Sequence, residues 1–164
     1  MNTGQTLLTT LAVILLGTTV LTLNKTFLQH GTILRQTEIG VYAVSLATSV
    51  IEEASGQAFD EKTIDDVVTS PTSLTSSSQL RAESGEVYPY LDDFDDYNGL
   101  QLGYKAAGTD SFSIRPVVYY VNAASPNTPV SSPTFFKRMD VSVWGTATGD
   151  TVKMSYIFSY FIFR

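Results

Sequence analysis

Residues Leu7–Leu23 read LLTTLAVILLGTTVLTL, and Gln5–Asn24 around them gives 20 uncharged residues in a row. A bilayer core about 30 Å thick needs roughly 20 such residues in a helix. Thr9, Thr10, Thr18, Thr19 and Thr22 dilute the run. A Thr hydroxyl can return to a carbonyl of the preceding helical turn, which keeps these residues compatible with an apolar medium. A cleavable secretory signal fits poorly: Met1–Gly4 carries no Lys or Arg, and no Ala-x-Ala-like site follows Leu23. A buried core helix fits poorly too, because so long an uncharged run is seldom interior to a small domain. The run predicts a membrane helix, permanent or temporary.

Working outward, nothing between Lys25 and Ser55 stops that helix. The first proline is Pro71, and only Gly31 and Gly40 interrupt. Gly40, Val44, Ala47, Ile51 and Ala54, flanked by Ile39, Ala43, Leu46 and Val50, recur at helical spacing and predict a buried stripe. Glu38, Tyr42, Ser45, Ser49, Glu52 and Glu53 fall on the opposite face, and Gly56 is a C-terminal stop. One helix from about Gln5 to Ser55 would be about 75 Å long. The predicted organisation is a short leader at 1–4, an apolar membrane or filament-core half at 5–30, an amphipathic half at 31–56 and a globular β-rich domain at 57–164.

The 164 residues include 10 Lys+Arg against 16 Asp+Glu, a net charge of -6, with every acid at or beyond Glu38. That balance argues against a nucleic-acid partner, which needs clustered cations. There is no Cys, so disulfides, thiolate catalysis and Cys-ligated zinc are excluded. The single His, His30, lies just past the apolar run. A Ser-His-Asp arrangement would have to form there, and no Gly-rich phosphate loop occurs. The composition predicts a protein that is not an enzyme.

In the globular half, Gln57–Asp66 is polar, with Phe59 and Ile64 as its apolar anchors. Thr69–Ser78 (TSPTSLTSSS) reads as a solvated linker or an O-glycosylated patch. Phe112–Val121 predicts a strand, and Pro116 places it at an edge or a bulge. Arg138–Trp144 alternates, with Met139, Val141 and Val143 on one face, and Thr151–Phe163 puts Val152, Met154, Tyr156, Phe158, Tyr160 and Ile162 on one face. Gly145–Asp150 is a hairpin turn, and Ala123–Pro133, with three prolines, a loop. The aromatic end is read as a strand buried on both faces or as a surface covered by another subunit. A long helix followed by antiparallel strands predicts an α+β fold, with the helix laid on a C-terminal antiparallel sheet.

Leu91–Leu102 reads LDDFDDYNGLQL. An EF-hand loop fails here, because Phe94 stands at the first ligand position and Lys105 at the last. Two readings remain: a solvated turn, which is preferred, or a looser calcium loop with Asp92, Asp93, Asp95, Asp96 and Asn98 as ligands and Glu86 in reach.

Gly4–Gly17 (GQTLLTTLAVILLG) resembles the N-terminus of type IV pilin-like proteins: pilins, pseudopilins and minor subunits. Ala43–Glu53 (AVSLATSVIEE) and Phe136–Phe158 resemble the amphipathic helix and the paired C-terminal strands of such subunits. The family's carboxylate after the cleavage Gly falls on Thr9, and Gln5 replaces the usual Phe or Met. The resemblance implies processing between Gly4 and Gln5 and an assembly helix that includes Thr9, Leu11, Val13, Leu15, Leu16, Gly17 and Val20. It implies a structural subunit of an extracellular helical homopolymer, held in the inner membrane before pilus or secretion machinery assembles it. The alternatives are a minor pseudopilin or tip subunit, and a monomeric membrane-anchored extracytoplasmic binding domain. It also implies a cytoplasmic N-terminus, against the weak pull of Lys25 and Arg35 under the positive-inside rule.

Overall fold

A computed structural model describes residues 2–105, 111–145 and 150–161. The element order is α1 (Thr3–Ser55), β1 (Leu102–Lys105), β2 (Ser111–Asn122), β3 (Ser125–Val130), β4 (Phe136–Gly145) and β5 (Thr151–Ser159), with short 3₁₀ turns at Glu61–Thr63, Pro71–Ser73 and Asp95–Tyr97. The fold class is α+β: one long N-terminal helix, then a five-stranded antiparallel sheet. The chain divides into two compact units, Met1–Ile39 and Gly40–Arg164.

The first unit is helix throughout its described part from Thr3 onward. Its threonines close on their own backbone. The Oγ1 of Thr9 donates to the Gln5 and Thr6 carbonyls, Thr10 to Thr6, Thr18 and Thr19 to Leu15, and Thr22 to Thr18, all at 2.7–3.0 Å. The hydroxyls that dilute the apolar run are therefore satisfied within the helix.

In the second unit, the last turns of α1 bury Ala43, Ala47, Val50, Ile51 and Ala54. Each Val or Ile buried in this way contributes about 1.5–3 kcal/mol. The stripe departs from the sequence pattern at Val44, which is 45% exposed, and at Gly40 and Leu46, which are half-buried. Tyr42 and Glu53, expected on the solvent face, have partners. Tyr42 packs its ring 6.4 Å from that of Phe112, and Glu53 accepts hydrogen bonds from the Tyr88 and Tyr97 hydroxyls. Thr48 reaches the sulfur of Met154 on β5.

The strand order is β1-β2-β4-β5, with β3 also paired to β2. Pro116 does not make β2 an edge strand, because β2 pairs with β4 from Phe112↔Gly145 to Tyr120↔Lys137 and with β1 and β3 on its other side. The proline is tolerated for a local reason. β1 begins opposite Ile114, so the ladder on that side stops short of Pro116. There the Gly99 N–H donates to the Pro116 carbonyl, and the Asn98 side chain accepts from the Val118 N–H. Gly99 has φ +80°, a left-handed conformation that glycine adopts without strain. The proline-rich 123–133 segment is not all loop, since Ser125–Val130 forms β3 on the end of β2. As an edge strand it can carry residues without an N–H.

On β4, Met139, Val141 and Val143 are fully buried, as the alternation requires. On β5 and the turn that follows it, Phe158 and Tyr160 are buried, whereas Ile157 and Phe161 are 39% and 55% exposed, so one face is covered rather than both. Regular strand ends at Ser159. Ile162, Phe163 and most of the 145–150 turn lie outside the described residues, although Trp144↔Thr151 pairing sets β4 and β5 as antiparallel neighbours. Phe59 is a buried anchor, but Ile64 is 41% exposed. The 69–78 segment is more than a solvated linker: Leu74 is buried, and Ser77 donates to the Ser131 carbonyl.

Ala47 has no exposed surface. Ala47→Glu is expected to destabilise the detergent-solubilised chain by more than about 2 kcal/mol, the range for burying an unpaired charge. Urea unfolding followed by Trp144 fluorescence measures it.

Candidate functional site

Two features are candidates: the exposed apolar surface of the first unit and an acidic centre in the second. On the helix, Leu11, Val13, Leu15, Leu16 and Val20 are each at least 56% exposed, and Thr9 and Gly17 are exposed as well. Gly4 and Gln5 are exposed in the first turn. The helix is long and apolar enough to cross a membrane, and none of its most apolar window is buried.

The acidic centre is assembled by a backbone bridge. The Ala58 N–H donates to the Asp92 carbonyl and the Phe94 N–H to the Ala58 carbonyl, which lays 58–60 alongside 92–94. Phe94 then packs, tilted, with its ring 4.9 Å from that of Phe158, and Phe59 lies 5.7 Å from the same ring. These aromatics fasten both loops to β5. Asp60, Asp93, Asp95 and Asp96 are all fully buried. The solvated-turn reading is therefore overturned, and of the four aspartates in the motif only Asp92 is exposed.

The charge that makes this burial tolerable is Lys137, itself fully buried. It stands on β4 in phase with Met139, Val141 and Val143. Its Nζ donates to the Phe59 carbonyl at 2.7 Å, to Asp60 Oδ2 at 2.8 Å and to Asp95 Oδ1. The ring of Phe59 lies 4.7 Å from the same ammonium. Asp60 is saturated further: Oδ1 accepts from the Lys62 and Thr75 N–H groups and the Thr75 hydroxyl, and Oδ2 from the Tyr120 hydroxyl. Sequence reasoning missed Lys137 because it began the strand one residue later. Carrying the alternation back from Met139 places a lysine on the core face, which demands a buried carboxylate.

The expected calcium ligands separate. Asp95 is paired with Lys137. Asn98 bridges the Leu80 carbonyl and the Val118 N–H. Asp93 Oδ1 accepts from the Asp95 and Asp96 N–H groups, closing the turn. Asp92, Asp96 and Glu86 form a group whose ligand oxygens lie within 4.8 Å of one another, and Glu61, Glu83 and Glu86 form a second. Glu61 and Glu83 had no recognisable spacing in the sequence.

Burial raises the Asp93 carboxyl to about 9, helped by the charge of Asp95. Burial lifts Asp95 to about 6 despite Lys137, and Glu83 to about 8, where Glu86 and Asp96 add to the effect. At Asp60, burial alone would also raise the pKa, but the charge and hydrogen bond of Lys137 outweigh it and hold the carboxyl below 3.8.

No family model, curated protein or solved structure matches this chain.

Lys137→Ala leaves Asp60 and Asp95 buried without their cation and is expected to cost about 3–5 kcal/mol, measured by denaturant unfolding. The sign of the pH dependence follows from linkage. For Asp93, Asp95 and Glu83 the folded pKa lies above the unfolded one, so their contribution is complete below about 4 and is lost as pH rises through 6 to 9. Asp60 acts oppositely, losing its contribution only as pH falls through its depressed value. In EDTA the chain should melt higher at about pH 5 than at about pH 8, and Asp93→Asn should flatten that difference.

Proposed function

We propose that this chain is a structural subunit of a type IV pilin-like helical filament, held in a membrane by its apolar helix before assembly. The observation that carries the reading is the division of labour along one helix. Thr3–Ser55 is a single element, its apolar part unburied, its last turns forming part of the core of a β domain. A soluble protein with so much exposed apolar surface needs a cover. Lipid supplies it before assembly and neighbouring helices supply it afterwards, so the burial persists while the solvent changes.

Three features support helix-on-helix burial. The Thr hydroxyls are spent within the helix, leaving few unsatisfied donors. Gly17 offers a site of close approach, since nothing of the chain lies within 4 Å of where its Cβ would be. No acid precedes Glu38, so the run carries no negative charge into the bundle. In this reading the acidic domain forms the outer, extracellular surface of the filament, and Gly4–Gln5 is the processing site. Thr9 provides hydrogen bonding where the resembled family has a carboxylate.

Leu11→Lys puts a charge into the apolar run and is expected to abolish filament incorporation and weaken membrane retention. Ala47→Glu should affect chiefly the folding of the β domain. Electron microscopy of sheared cell-surface material, with N-terminal sequencing of the subunit, tests the reading. Filaments that never contain this chain, and purified chain that never polymerises, would overturn it.

A further inference from the structure

We propose that Glu86, Asp92 and Asp96, with Glu83 and Glu61 of the adjoining group at the margin, bind one divalent cation of the calcium type. The site differs from the loop expected from sequence. It draws on three separate loop segments and omits Asp93, Asp95 and Asn98: Oδ1 of each aspartate and the Asn98 amide are engaged elsewhere, although Asp93 Oδ2 and Asp95 Oδ2 are also buried without a hydrogen-bond partner.

The decisive atom is Asp96 Oδ1. Asp96 has no exposed surface, and its Oδ2 accepts from the Asp92 and Asp93 N–H groups, which fixes the carboxylate plane. Its Oδ1 is buried without a hydrogen-bond partner, in a residue grouped with Glu86 and Asp92. A buried carboxylate oxygen with no donor is costly, and such atoms in a folded protein call for an explanation. Two more are nearby: Glu83 Oε2 and Glu61 Oε2 are likewise buried and unpartnered. Glu86 belongs to both groups, and its Oε2 is oriented by the Glu83 N–H at 2.7 Å. Among the described residues, no Lys or Arg forms an ion pair with any of the five, because Lys137 is taken by Asp60 and Asp95.

The donor set selects the cation. It is all carboxylate oxygen, with no Cys in the chain, and its single His lies in the first unit. That chemistry suits a hard ion. Carboxylates on separate loop segments suit the irregular, high coordination of calcium better than the strict octahedron of magnesium. Bound there, the cation would pin 61, 83–86 and 92–96 together, a cross-link that this Cys-free chain cannot make by disulfide. Glu61 and Asp96 also flank Asp60 and Asp95, so the cation site and the Lys137 centre share their backbone.

The test uses the full chain in detergent, stripped with EDTA, and reads calorimetric binding and thermal midpoint with calcium or magnesium alone. The expected result is one calcium per chain, a midpoint that rises with calcium by mass action, and weaker binding of magnesium. Asp96→Asn and Glu86→Gln should each weaken calcium binding by about tenfold or more, as loss of a charged ligand from a hard-cation site predicts. Asp92→Asn guards against misfolding, since Asp92 is exposed: it should lower affinity while leaving the metal-free midpoint unchanged. Absence of binding at roughly 10 mM calcium, above the range of weak extracellular modules, would overturn the proposal. So would variants that bind calcium as the parent does. Neither readout requires polymerisation, so the outcome is independent of the filament reading.

Discussion

Lys137 on β4 is the group on which the β domain depends. Its ammonium lies inside the molecule and reaches two carboxylates and a backbone carbonyl. Coulombic attraction in a buried site is strong, but removing both charges from water consumes most of that gain. Such a centre is therefore better understood as a constraint than as a reservoir of stability. The charge is tolerated only if Asp60 and Asp95 arrive together. That in turn requires the 58–60 and 92–94 segments to pair and Phe59 and Phe94 to seat on Phe158. Asp60 also recruits Thr75 and Tyr120, so a third loop and strand β2 are tied to the same point. A long stretch with little regular structure, from Gln57 to Gln101, is thereby given one arrangement.

The helix answers a different constraint. Its first part presents apolar side chains all round, with every Thr hydroxyl in the run turned to its own backbone. This surface suits lipid or other helices equally, because both are apolar and neither supplies hydrogen bonds. Its last turns are instead selective: small residues, Ala43, Ala47 and Ala54, let the helix approach a sheet, while Glu53 accepts from two tyrosines. One continuous backbone thus serves two environments through side-chain size and polarity alone.

Where sequence reasoning succeeded, the signal was local. Helical spacing marked Ala43, Ala47, Val50, Ile51 and Ala54, and strict alternation marked Met139, Val141 and Val143. Where it failed, a distant partner decided the outcome. Pro116 looked like an edge or bulge marker, yet β2 is central, with β1 and β3 on one side and β4 on the other; the proline is accommodated because the β1 ladder stops short of it and Gly99 takes up its carbonyl. Pro126 and Pro129 looked like loop residues, yet they lie in an edge strand. The aspartates of Leu91–Leu102 looked solvated because charge density is read as exposure, and nothing in that stretch announces a lysine some forty positions later.

By itself, the sequence determined the continuous helix, its change from apolar to amphipathic character, the α+β class and the core faces of β4 and of α1's last turns. These follow from periodicity and from the absence of charge and proline, which act over a few residues at a time. Only the tertiary structure decided which aspartates are buried, that Lys137 neutralises Asp60 and Asp95, and that Glu86 groups with Asp92 and Asp96 on one hand and with Glu61 and Glu83 on the other. The physical reason is that desolvation and charge pairing depend on three-dimensional distance. Residues far apart in the chain meet at one point, and no spacing rule in the sequence encodes that meeting.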